Sequence, residues 1–78
     1  MDTQLSNVML TRILHLFKEG GGGYQVLALH ALTNCNYSPR VNLTLRKILN
    51  PAIQSGEKIR LLEKQIQEEK RKNLQKHS

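Results

Sequence analysis

Apolar residues recur at three- and four-residue steps from Thr3 to Glu19: Leu5, Val8, Met9, Ile13, Leu16 and Phe17, with Leu10 and Leu14 widening the stripe. That period marks a helix with one buried face. Asp2, Thr3 or Ser6 can cap its start by accepting orphan backbone N–H groups. The stripe could also be read as a leucine-rich export signal or a membrane-surface helix. Its polar face is poor in Lys and Arg, which argues against the membrane. The stretch Tyr24–Cys35 follows another rule, since only Gln25, His30, Thr33 and Asn34 are polar in it. A helix apolar on all sides needs neighbours on more than one side, so the pattern predicts a central helix over Tyr24–Asn34, closed by Asn34 or Asn36 in the left-handed conformation.

Ser38-Pro39 is a strong start signal, with a capping hydroxyl followed by a residue whose missing N–H costs nothing at the first helical position. The third helix then carries Val41, Leu45, Ile48, Leu49, Ala52 and Ile53 on one face. Pro51 interrupts it, and Asn50 is expected to cap a new turn with Pro51 as its first residue. Ser55-Gly56 separates a last helix, Glu57–Lys76. Ile59, Leu62 and Ile66 form a short seam there with Leu61 beside it. The next seam positions are Glu69 and Asn73, so the seam should fade after Ile66 and leave the charged second half projecting. Glu68 and Lys72 can form an i,i+4 pair there.

Gly20–Gly23 joins the first two segments. Four glycines in a row read as a flexible linker. In a chain with a single other glycine they also suggest an engineered joint, where a longer loop was removed or two segments were fused. A phosphate-cradling loop would need spaced glycines and a Lys-Ser/Thr ending, whereas Tyr24-Gln25 follows.

Seventy-eight residues make at most one domain, and so short a chain has little buried surface to stabilise it. One cysteine provides no internal disulfide and fits a reducing, intracellular setting, cytoplasmic or nuclear. With one Phe, two Tyr and no Trp, the core must come from Leu, Ile and Val. No apolar run approaches the roughly 20 residues that cross a bilayer, and no basic stretch followed by an apolar run marks a signal peptide. Asn36-Tyr37-Ser38 and Asn42-Leu43-Thr44 match the glycosylation pattern and are taken as chance.

The net charge of +6 is unevenly spread. Residues 1–19 balance, residues 20–56 hold Arg40, Arg46 and Lys47 with no acid, and residues 57–78 hold seven bases against four acids. Acidic proteins, nucleic acid or an anionic surface would suit that balance. Catalytic chemistry finds no foothold, because Asp2, Glu19, Glu57, Glu63, Glu68 and Glu69 sit at terminal or solvent-facing positions rather than in a shielded pocket. His15, His30, His77 and Cys35 lack the paired spacing of a metal site. No catalytic residue, metal, cofactor or small-molecule substrate is expected.

The cadence Ala28-Leu29, Ala31-Leu32, Asn34 within Gln25–Asn34, followed by another amphipathic helix, resembles a unit of armadillo- and HEAT-type repeats over residues 24–49. The resemblance implies helical pairs that stack on something, since one unit cannot bury its own core. It carries over no functional residue.

The expected architecture is therefore all-α, one module over residues 1–78. It would be a small four-helix bundle or helical-hairpin assembly, with three helices built around Tyr24–Cys35, an extended charged last helix and a basic tail over residues 70–78. The expected function is protein–protein interaction or oligomerisation without enzymatic activity. Ile59, Leu62 and Ile66, then Leu10 and Leu14, are the expected contacts, because apolar faces of this extent exceed what so short a chain can shield. The alternative is a nucleic-acid- or chromatin-binding module using Arg40, Arg46 and Lys47 with Lys70, Arg71, Lys72 and Lys76. With no helix-turn-helix signal, no zinc finger and few aromatics, such binding would go through phosphates.

Overall fold

Four helices account for the regular structure: α1 (Thr3–Glu19), α2 (Gly23–Asn34), α3 (Pro39–Ile48) and α4 (Ser55–Lys76). The computed structural model describes residues 3–76, and side chains from Ser6 to Lys72. No strand occurs among the described residues. The molecule is an all-α globule of four packed helices, and no helix of the described residues is long and apolar enough to cross a membrane.

The joints follow local chemistry. α1 stops where Gly20 and Gly21 take φ of 90° and 82°, a left-handed backbone that side-chain-bearing residues rarely adopt. The amide of Gly20 donates to the Phe17 carbonyl at 3.2 Å. Gly22 precedes α2 with φ −99° and Gly23 already belongs to the helix, so the glycine run turns the chain from α1 into α2. Across it, Phe17 and Tyr24 meet edge to face at 4.8 Å between ring centroids. No non-glycine residue described has positive φ. Asn34 and Asn36 therefore do not close α2 in the left-handed form expected of them; the chain leaves through extended Cys35, whose amide donates to Ala31 at 3.2 Å.

α3 starts as the sequence indicates. The Ser38 hydroxyl accepts from the Val41 amide at 3.3 Å, and Pro39 is the first helical residue. The helix ends at Ile48. Asn50 then caps a single turn at Pro51, its side-chain oxygen accepting from the Ala52 amide at 3.0 Å and its carbonyl from Ile53 at 3.2 Å. Ser55 and Gly56, expected to separate two helices, lie in the first turn of α4.

The most extensive interface is α1 along α4, followed by α1 with α2, α3 with α4, and α2 with α3. Leu10 and Ile13 of α1, Val41, Leu45 and Ile48 of α3, and Leu62 of α4 are fully enclosed; Met9, Tyr24, Ala28, Ala31 and Ile66 complete the core. Two expectations are overturned here. The centre is the α1–α4 pair rather than α2, which buries only Tyr24, Ala28 and Ala31. And the seam of α4 does not fade after Ile66, because Glu69 is 1% exposed. Its Oε1 accepts from Ser6 Oγ at 2.8 Å, and its Oε2 accepts from Gln65 Nε2 at 3.2 Å and lies 3.5 Å from Lys72 Nζ. Gln65 Oε1 in turn accepts from Thr44 Oγ1 at 3.0 Å. This buried polar chain ties α3, α4 and α1 together, and its geometry fixes their register.

Candidate interaction surfaces

The five apolar residues expected to meet a partner are mostly occupied at home. Leu10, Leu62 and Ile66 are in the core, and Leu14 packs half-buried against it. Ile59 is half-buried outside the core. The cause is simple: α1 and α4 pack along each other, so Leu10, Leu62 and Ile66 are covered within the chain, while Leu14 and Ile59 keep part of their surface.

Apolar surface is left over on α1 at Val8, 61% exposed, and as a pair on α2. Val26 is 73% exposed and Leu29 54%. With His30 and Thr33 they recur at the spacing of one helix face. The polar groups on that face are partly satisfied locally. Thr33 Oγ1 donates to the Leu29 carbonyl at 2.9 Å, and Asn34 Nδ2 lies 3.0 Å from Thr33 Oγ1 and 3.2 Å from His30 Nδ1. Residues 20–39 contain no Asp, Glu, Lys or Arg, although such residues make up 23% of the chain. Composition alone could have revealed this surface, because a helix without one charge has no side marked for water.

The basic residues sort differently from their sequence grouping. Antiparallel packing of α3 on α4 forms a groove that holds Arg40 and Lys47 from one helix and Lys64 from the other. Arg71 and Lys72 stand at its Arg40 end. Arg46, one residue from Lys47 and so about 100° around the helix, is exposed outside the groove. Lys70 faces the α1 side, near Leu14 and Glu63. The side chain of Lys76 lies outside the described residues, as does His77. Lys64 was not among the expected cations; its signal is the helical spacing Leu61, Lys64, Glu68, Arg71.

The groove has a floor and a counter-charge. Leu43, 54% exposed, and half-buried Leu61 line the end near Lys47 and Lys64. At the other end Glu68 Oε1 is 3.6 Å from Arg40 Nη2. The other Glu68 oxygen is shielded from solvent without a hydrogen-bond partner among the described residues. Lys72 is drawn towards buried Glu69, so Arg40, Lys47, Lys64 and Arg71 are the cations open to a ligand.

Elsewhere, His15 Nε2 pairs with Glu19 at 2.9 Å on the outer face of α1. Burial first, then the negative charge of a Cys35 thiolate and the hydrogen bond to Cys35, push the Tyr37 phenol above its ordinary pKa. Among the described residues no three His, Cys, Asp or Glu side chains converge as a metal site would require. The chain matches no family model, no curated protein and no solved structure.

Proposed function

We propose that the chain is a non-enzymatic assembly module that meets a second copy of itself, or another protein, through the outer face of α2. One observation carries this reading. α2 is apolar on both its inner and outer sides, and it exposes Val26 and Leu29 inside a charge-free stretch. Helices of that character are normally covered. Two copies of a +6 chain repel at any face that bears cations, and the α2 face avoids that cost. The armadillo/HEAT-like cadence over residues 24–49 supports the same idea of helices stacking on something. The lone half-buried cysteine is consistent with an intracellular setting, cytoplasmic or nuclear.

The test is molar mass by light scattering behind a sizing column, at several concentrations, for the parent chain and for Leu29→Glu. A parent dimer or larger species that falls to monomer in the variant, with helix content unchanged by circular dichroism, is the expected result. A parent chain that is monomeric throughout, and whose Leu29→Glu variant behaves identically, would end the self-association form of this reading.

The cations gathered between α3 and α4 support a second function, binding of nucleic acid or chromatin through phosphates. It requires affinity that falls steeply with salt, at a slope set by the number of phosphates neutralised. A DNA and RNA titration across salt concentrations measures that slope.

A further inference from the structure

We infer that the α3–α4 groove docks an acidic amphipathic peptide segment of a protein partner, with an apolar side chain at one end of the groove and carboxylates at the other. This rests on reading the chain as an interaction module but uses a different face from α2.

The groove is polarised along its length. Leu43 and Leu61 form the apolar end, flanked by Lys47 and Lys64. Arg40 and Arg71 form the cationic end, beside the start of α3, whose helix dipole adds positive potential. From Leu61 to Arg71 α4 rises about 15 Å, the length of a few turns of a docked helix. The Arg40–Glu68 pair is long, at 3.6 Å, and Arg40 is largely exposed. Such a pair contributes little, so Arg40 is free to exchange Glu68 for an incoming carboxylate with better, bidentate geometry.

Charge alone would equally suit a phosphate backbone, and three features favour the peptide. A phosphate chain has nothing to bury against Leu43 and Leu61. No aromatic residue lines the groove, so bases have no stacking platform. Glu68 sets a carboxylate among the cations, which breaks a continuous basic track but leaves separate cations for spaced carboxylates.

The test is fluorescence anisotropy with a labelled helical peptide of about 14 residues, some 21 Å long, bearing two leucines towards one end and glutamates towards the other. A single-stranded oligonucleotide of similar charge is the competitor. Saturable binding that weakens about tenfold with Leu43→Ser, and again with Arg40→Ala plus Arg71→Ala, is expected from loss of a buried anchor and of paired charges. All three positions are exposed, so the variants should stay folded, and circular dichroism checks this. Leu29→Glu should leave the affinity unchanged, which separates this site from the α2 face. Two results overturn the proposal: no saturable peptide binding, or an oligonucleotide that displaces the peptide and binds Leu43→Ser as tightly as the parent chain. The second result would mark the groove as a phosphate site.

Discussion

α1 with α4, and α2 on its own, solve the same problem with different resources. α1 and α4 each carry an apolar stripe and a charged outer side, and each buries most of its stripe along the other, with Val8 of α1 left 61% exposed. Polar residues then lock the register, with Ser6 and Gln65 held on the carboxylate of Glu69. α2 is more apolar than either, yet it buries less. It spans 12 residues, leans on α1 and α3, and uses the two alanines of its inner stripe to approach them closely. Burial is set by how many neighbours a helix can reach, and apolar composition states only the demand. Where demand exceeds neighbours within the chain, the excess faces outward, and on α2 Val26 and Leu29 are that excess.

The strongest way to break this comparison is to place a charge in the pair and then in α2. A domain of this length holds roughly 4–12 kcal/mol of stability. Leu62→Glu removes a fully buried side chain and buries a carboxylate without a partner, which costs several kcal/mol (~5 or more). The helical circular dichroism signal should collapse. Retention of the signal with a lower assembly state would instead restore Leu62 as a partner contact.

Next in size is the polar lock. Glu69→Ala removes the acceptor of two buried hydrogen bonds to a charged group and unpairs Lys72. The expected loss is about 3 kcal/mol, read as a lower urea midpoint. A loss under about 1 kcal/mol would fit an exposed ion pair and show that the second half of α4 is held loosely.

Glu69 also marks where the sequence stops being legible. A glutamate after Ile66 reads as the end of a seam, because nothing local shows that Ser6, at the other end of the chain, will donate to it. The helices themselves were readable. The period of α1, the Ser38-Pro39 start and the Asn50-Pro51 turn are local chemistry, and the structure keeps all three. The sequence points to the wrong centre for a physical reason: apolarity without periodicity, as over Tyr24–Cys35, has no direction. The basic groove was half readable. Helical spacing already sets Arg40 and Lys47 on one side of α3 and Arg46 on another, but Lys64 joins Arg40 only through tertiary packing.

The joint between the two regions gives a smaller effect with two signs. Gly21 has φ 82° and open space around a hypothetical Cβ, so Gly21→Ala costs backbone strain alone, about 1 kcal/mol. Gly22 has φ −99°, and an added Cβ would make an ordinary contact with Gln25 at 3.6 Å. Gly22→Ala should stabilise by about 0.5 kcal/mol through the unfolded chain. Urea unfolding of both variants decides between a defined reversal and a flexible linker, since a linker would treat the two substitutions alike.

The smallest effect on stability should come from the most apolar helix. Leu29→Glu exchanges a leucine that is 54% exposed for a charge, so at concentrations where the chain is monomeric its unfolding free energy should shift by no more than about 0.5 kcal/mol. The same chemical change at Leu62 is expected to unfold the protein. At high concentration the two states diverge: if the parent chain associates through α2, its apparent stability rises with concentration by mass action, and the variant's does not. A concentration-independent urea midpoint for both proteins would mean that α2 is left uncovered by self-association, and its outer face would then be the surface on which to seek a different protein. A destabilisation of several kcal/mol in the dilute variant would instead show Leu29 to be part of the internal packing, and would erase the difference between α2 and the α1–α4 pair.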